Sequence, residues 1–267
     1  MWALFKRTIK DRKLVWFIYI ITICVFLLMH TSIFPSFKDQ QIDISKMMES
    51  MPEGFVQAFG LDDYDMSIFE NYIAAEEFSL MWPLLLIILA ISTAGAAIAS
   101  EIEKGTIELL ISQPISRTGL YVSRYFSGVI FLIGYVVITL LFLITVAKLF
   151  GIDLQLSHYP TLGLMGLLFG WAIYSIAFFL SSIFSDRGKV YFVSAGLIVF
   201  MYALNLVSIL KESLKSLKYL SFFNYFNAND LLIRNEIDNV GIIVFVLVII
   251  LFSVSGLITF NRRDIST

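Results

Sequence analysis

The sequence predicts an all-α polytopic membrane protein: six transmembrane helices, an amphipathic interfacial helix at the N-terminus, and a short amphipathic helix at the membrane face between spans two and three. Three observations carry this. First, the 267 residues are 58% hydrophobic and 15% charged, with mean hydropathy +0.84, whereas a soluble domain carries about 45–50% apolar and about 25% charged residues. Second, there are six apolar runs, each able to supply the roughly 20 residues that cross about 30 Å of hydrocarbon. Third, the basic residues are uneven. With the N-terminus inside, the inner segments hold twelve Lys and Arg and the outer segments seven, which places both ends in the cytoplasm. Residues 1–267 read as one transmembrane domain without an internal repeat. The net charge of −2 carries no nucleic-acid signal. The single cysteine, Cys24, cannot form an internal disulfide and reads as a small buried hydrophobe.

Each element follows in order. In Met1 to Lys13, Trp2, Leu4, Phe5 and Ile9 share a face against Lys6, Arg7, Lys10, Arg12 and Lys13. That is a basic amphipathic helix in the headgroup region. The apolar run after it is too long for a signal peptide and lacks a small-residue cleavage site. The first span covers about 14–34, with His30 as an interfacial side chain near its far end. Residues 35–75 form an outer loop rich in acidic residues, from Asp39 to Glu70, against only Lys38 and Lys46. Two short amphipathic helices are expected there, one around Ile44–Met51 and one between Pro52 and Gly60. The loop reads either as a lid on the span ends or as a surface guiding a cationic substrate. The second span covers about 78–100. Pro83 can kink it, and the small-residue tract from Ser92 to Ala99 allows close helix approach. Glu76-Glu77 reads as an interfacial polar cap. The paired glutamates of intramembrane proteases would need Arg where Met81 stands, and His ligands that are missing here.

Span three covers about 120–147, with Arg124 able to snorkel to the headgroups. Span four covers about 161–184, with Gly163, Gly166 and Gly170 as close-contact points. Span five covers about 190–210 and carries Tyr202 and Asn205. An outer segment with Phe222, Phe223, Tyr225 and Phe226 suits the membrane interface. Span six covers about 240–260 and is closed by Asn261-Arg262-Arg263.

The chain is organised around the polar island EIEKGTIELLISQPISR, Glu101 to Arg117. Gly105 breaks the preceding helix. Thr106 can cap a new one, and Glu108 then sits in the first turn, where the helix dipole favours negative charge. Ile107, Leu110 and Ile111 share an apolar face, and Pro114 ends the segment. A short amphipathic helix of about 102–114, lying across the ends of two spans, is a docking surface. Local physics alone also allows an ordinary loop with a capped turn.

The wording Glu-x-Glu-x-Gly-Thr-x-Glu-Leu-Leu followed by Pro-Ile-Ser-Arg resembles the loop after the second span of ABC-2 type permeases, the membrane subunits of ATP-driven exporters. The phrases Met-Pro-Glu-Gly-Phe (51–55) and Tyr-Phe-Asn-Ala-Asn-Asp-Leu-Leu (225–232) resemble the same family more weakly. The resemblance implies that this loop is the cytoplasmic coupling helix, seated on a separate ATPase subunit that holds ATP and Mg. Glu103, Gly105, Thr106, Glu108, Leu109, Leu110, Pro114 and Arg117 would form the coupling element. It also implies a second permease chain, identical or different, a location in the cell membrane, and export as the direction.

No apolar core carries a charged residue near its middle, which counts against ion-coupled transport. There is no phosphate-binding loop, no metal-ligand set, and no Ser, His and Asp constellation. The chain therefore reads as a transport subunit and not as an enzyme. A membrane-embedded enzyme and a non-transporting scaffold are the alternatives. Ser92, Thr93 and Asn205 are candidates for the substrate pathway. The acidic outer loop suggests an amphipathic cation as cargo, such as an antimicrobial peptide or drug.

Overall fold

The computed structural model describes residues 2–39, 66–107 and 115–264. Within a bilayer a lone segment must satisfy its own backbone N–H and C=O groups, and a helix does so. Among the described residues there is accordingly no strand, and ten α-helices follow one another. They are α1 (Trp2–Asp39), α2 (Phe69–Ile73), α3 (Trp82–Gly95), α4 (Ala99–Glu103), α5 (Arg117–Leu149), α6 (Tyr159–Ile183), α7 (Arg187–Leu210), α8 (Phe222–Tyr225), α9 (Ala228–Leu232) and α10 (Asn239–Arg262). A π-helical segment, Ala74–Met81, joins α2 to α3, and a 3₁₀ segment, Glu212–Leu220, follows α7. Six stretches are long and apolar enough to cross a membrane: Leu4–Ser36, Phe69–Gly95, Arg117–Leu149, Tyr159–Ile183, Arg187–Leu210 and Asn239–Arg262. The all-α polytopic membrane fold is the fold the chain adopts.

Two elements differ from their sequence reading. The basic N-terminal stretch is not set off as a separate surface helix. It runs unbroken into the first span, so that α1 is one helix of 38 residues, about 57 Å long at 1.5 Å per residue. Nothing between Lys13 and Leu14 interrupts the helical hydrogen bonds, and even Pro35 lies inside the helix. The second span starts at Phe69, within the expected outer loop, because α2, the π-helical segment and α3 follow one another without a gap. It ends at Gly95, where a turn at residues 96–98 precedes α4. The two helices expected in the outer loop lie outside the described residues.

Helix α6 is the centre of the bundle. In its most apolar window 72% of the residues are buried, against 17% for α7 and α10 and 22% for α1. It packs on α3, α5 and α10. Its glycines are what permit this. A Cβ on Gly166 would collide with the Trp82 ring, and one on Gly170 would stand 2.8 Å from Leu86 Cγ. Gly163 faces Leu140 in the same way. Small residues at such crossings let backbones approach where lipid gives no hydrophobic drive for helices to associate. Gly95, in the small-residue tract, is likewise covered by the Tyr191 ring, and the Ala99 N–H donates to Ser181 Oγ at 3.0 Å.

Aromatic side chains with satisfied polar ends fill the spaces between spans three, four and six. Tyr121 meets Phe178 edge-on, with ring centroids 4.9 Å apart. The Tyr121 hydroxyl donates to the Ser253 carbonyl at 2.8 Å. Tyr125 and Ser175 share a hydrogen bond of 2.7 Å, and Trp171 Nε1–H donates to the Tyr125 hydroxyl at 2.9 Å. Farther along, Trp82 Nε1–H donates to Thr139 Oγ1 at 3.0 Å, and the Tyr135 hydroxyl donates to the Trp82 carbonyl at 3.1 Å. Helix-to-helix bonds of this kind contribute about 0.6 kcal/mol each on average. Their number fixes how the spans sit against one another.

Candidate functional site

The face of the bundle that carries Trp2 and Asp264 also carries both ends of the polar island, 101–107 and 115–117. Helix α4 ends there in a Schellman turn. The Thr106 N–H returns to the Glu101 carbonyl at 2.9 Å and the Gly105 N–H to the Ile102 carbonyl at 3.0 Å. This closure needs a residue in the left-handed region after the cap, and Gly105 supplies it with φ +67°. Gly105 is thus required by the turn itself. The Thr106 hydroxyl bonds the Glu101 carboxylate and also donates to the Glu101 carbonyl at 3.2 Å, so it reaches back to the helix already made.

Three spans hold the two ends of the loop. Glu101 Oε1 accepts from Arg124 Nη2 of α5 at 2.8 Å. Arg124 does not snorkel outward as its position near the span end suggested. The Glu101 carboxylate draws it into the bundle, where only 6% of its side chain is exposed. Glu103 Oε2 lies 3.6 Å from Arg187 Nε and accepts the Arg187 backbone N–H at 3.3 Å, which ties the loop to the start of α7. At the loop's other end Ser116 caps α5 by accepting the Gly119 N–H at 3.1 Å. Arg117 donates to the Arg263 carbonyl at 2.6 Å, just beyond α10. Arg263 in turn donates to the Ser182 and Phe184 carbonyls and to Ser185 Oγ at the end of α6. Partial burial draws the Arg263 pKa below the ordinary guanidinium value.

Of the residues expected to form the coupling element, Glu103, Gly105, Thr106 and Arg117 therefore stand at the two ends of one loop. Glu108, Leu109, Leu110 and Pro114 lie outside the described residues. The sequence reading missed the partners Arg124, Arg187 and Arg263. A usable signal was present: acids 101 and 103 and the three arginines all fall within a few residues of predicted span ends on one face.

A family model described as ABC-2 family transporter protein matches residues 2–265. The chain belongs to the ABC-2 transporter family. A comparison with curated proteins finds no match. This ABC-2 chain is a multi-pass membrane permease of an ABC transporter, a transport subunit and not itself a catalyst.

The candidate pathway residues of the permease are not brought together. Ser92 Oγ donates to the Leu89 carbonyl of its own helix at 3.1 Å, and its carbonyl accepts from the Tyr191 hydroxyl at 3.4 Å. Thr93 is half-buried beside it. Asn205 lies fourteen residues beyond Tyr191 on α7, about 21 Å along the helix. There it lines a cavity of about 520 Å³ with Ser208, Glu212, Lys215, Lys218 and Asn224.

In the half of the permease opposite the loop, the Glu76-Glu77 pair is split. Glu76 is exposed, whereas Glu77 has no exposure at all. Glu77 is therefore not an interfacial cap. Its Oε2 lies 2.8 Å from Nδ1 of His30, whose own side chain is 13% exposed. The π-helical segment carries Glu77 into the bundle, and so an ionisable residue does stand within a span. His30, read from sequence as a lone interfacial side chain, is its partner.

Proposed function

We propose that the chain is the membrane-spanning permease subunit of an ATP-driven exporter, coupled to a separate ATPase subunit through residues 102–114. The observation that carries this reading is the anchoring of the loop. Its two ends are bonded to α5 through Arg124, to α7 through Arg187, and to the α10 and α6 ends through Arg263. A partner that pushes on the loop therefore moves several spans at once. Energy enters from outside the chain: ATP and Mg are held by the ATPase subunit, and the loop delivers its motion. Glu103 and Arg117 act as the ties, Gly105 and Thr106 as the turn, and Glu108, Leu109, Leu110 and Pro114 as the surface that meets the ATPase.

A second permease chain, identical or different, completes the pathway, and the substrate leaves along the interface between the two. Both termini lie in the cytoplasm of a bacterial cell, with the loop between the first and second spans outside. The acidity of that loop favours an amphipathic cationic cargo such as an antimicrobial peptide or drug. Ser92, Thr93 and Asn205 would touch it at different depths.

The test is purification from native membranes into lipid nanodiscs, with every copurifying chain identified and ATP hydrolysis measured with and without candidate cargo. A nucleotide-binding subunit should copurify, and Glu108→Arg or Leu110→Arg should strip it away or abolish cargo-stimulated hydrolysis. Recovery of the intact permease with no ATPase subunit would sink the proposal.

A further inference from the structure

Among the described residues Glu77 Oε1 has no hydrogen-bond partner, and Glu77 is fully buried. Buried polar atoms are nearly always satisfied, so an orphan calls for a reason. An ionisable group inside a span is expensive and is kept there for a task, with proton relays prominent among those tasks. Two further features mark the place. Glu77 sits in the middle of an eight-residue π-helical segment, and π-helical turns inside α-helices gather at functional sites. Its partner His30 lies six residues before the end of the first apolar stretch, Ser36, which is about 9 Å at helical rise.

We propose that Glu77 and His30 form a proton-binding site within the membrane, and that its occupancy decides whether an ion pair holds α1 to the second span. In the closed state the imidazolium Nδ1–H donates to Oε2 and the pair is neutral overall. One proton taken from the surroundings adds to the free lone pair on Oε1. The carboxylate becomes a neutral acid, the site passes from no net charge to +1, and the imidazolium loses its counter-charge. The ionic part of the attraction between α1 and the second span is then gone, which leaves packing such as Phe34 on Phe69 and lets the helices part more easily. No other bond is made or broken.

The surroundings support a proton as the ligand. A side chain with no exposure admits nothing larger while the helices are packed. A metal ion is poorly served, because no group of three His, Cys, Asp or Glu side chains occurs among the described residues. Glu76, on the same π-helical segment, is the other carboxylate that acts on His30. Tyr72 of α2 faces the pair, its ring 6.3 Å from the imidazole and edge-on. Tyr135 of α5 lies within electrostatic reach of Glu77 and of Cys24 on α1. On α9, which also packs against the segment, Asp230 is paired with Arg234 at 2.9 Å. Helix α3 brings no ionisable residue. Ordinary phenols and thiols titrate near 10 and 8.5, so the groups that change charge between about pH 4 and about pH 7 are carboxylates and His. The carboxylates and histidine on the elements around the site are Glu77, His30, Glu76, Asp230 and Glu70 of α2, which accepts the Gln155 N–H.

The test is pH-difference infrared spectroscopy of the purified permease in nanodiscs, taken from about pH 8 to about pH 5 around the ordinary His value of about 6.5. It needs no ATPase partner, so it stands or falls apart from the exporter reading. A protonated-carboxyl band should appear on acidification, vanish in Glu77→Gln and persist in Glu76→Gln. Should Glu77→Gln fail to fold, His30→Gln serves instead: it keeps the carboxyl, and the band's midpoint should move by at least about tenfold in proton concentration. A spectrum with no Glu77-dependent band, or a midpoint unmoved in His30→Gln, overturns the proposal and leaves a purely structural contact.

Discussion

The permease holds its spans together with acid–base pairs at both ends, but the two ends are built differently. At the loop face Glu101 meets Arg124 and Glu103 meets Arg187, with carboxylate side chains 23% and 40% exposed. Water and several donors share the load there. In the opposite half the Glu77 and His30 pair is closed away from solvent. Arginine keeps its charge at every physiological pH, whereas histidine changes charge near neutrality. The loop face is thus a charge-fixed joint, suited to passing on force. The other is a joint in which a proton can alter the bonding.

Mutations can break this contrast or sharpen it. The largest effect is expected from His30→Ala, which leaves a fully buried carboxylate without its partner and should cost about 3 kcal/mol. Thermal unfolding in nanodiscs measures it. The double variant His30→Gln/Glu77→Gln should recover most of the loss, and equal damage from the single and double changes would mean that packing, not charge, is at stake. Arg124→Met should cost less, about 2 kcal/mol, because a buried pair is broken but Glu101 keeps Thr106 and some water. An Arg124→Met chain as stable as the native one would show that this pair holds nothing. The smallest change in stability belongs to Arg187→Ala. Its pair is half-exposed and worth under about 1 kcal/mol. If the loop transmits force through α7, however, this variant should still lower cargo-stimulated ATP hydrolysis. Unchanged hydrolysis would remove α7 from the coupled set.

Much of this was legible in the sequence. Hydropathy finds six spans because each helix is long and nearly free of charge. Gly163, Gly166 and Gly170 recur at roughly helical spacing, so a close crossing could be read from them. Gly105 announced a helix end, and the left-handed turn is there. What stayed hidden is tertiary. Arg124 near a span end fits snorkelling as well as it fits an inward pair. Only the position of Glu101, 23 residues earlier, decides between them. His30 and Glu77 are 47 residues apart, and no local pattern links them. The π-helical segment has no hydropathy signature, so the apolar pattern begins the second span at Phe78 and leaves Glu77 just outside it. A start at Phe69 would have placed Glu70 and Glu77 seven residues apart on one inward face. Both are buried, and Glu70 accepts the Gln155 N–H at 2.7 Å.

The unbroken α1 has a consequence for what this stretch of chain can tolerate over time. Trp16 is fixed to the Phe131 carbonyl at 2.8 Å, and His30 is fixed to Glu77. Between them the helix is a ruler. Adding or removing one residue would turn one end by about 100° relative to the other, and adding a heptad to restore the angle would lift His30 by about 10 Å. Phe17, Ile18, Ile21 and Val25 point outward, 50–60% exposed, and can be exchanged for any apolar residue that suits lipid. The spelling of this segment is free, but its letter count is not.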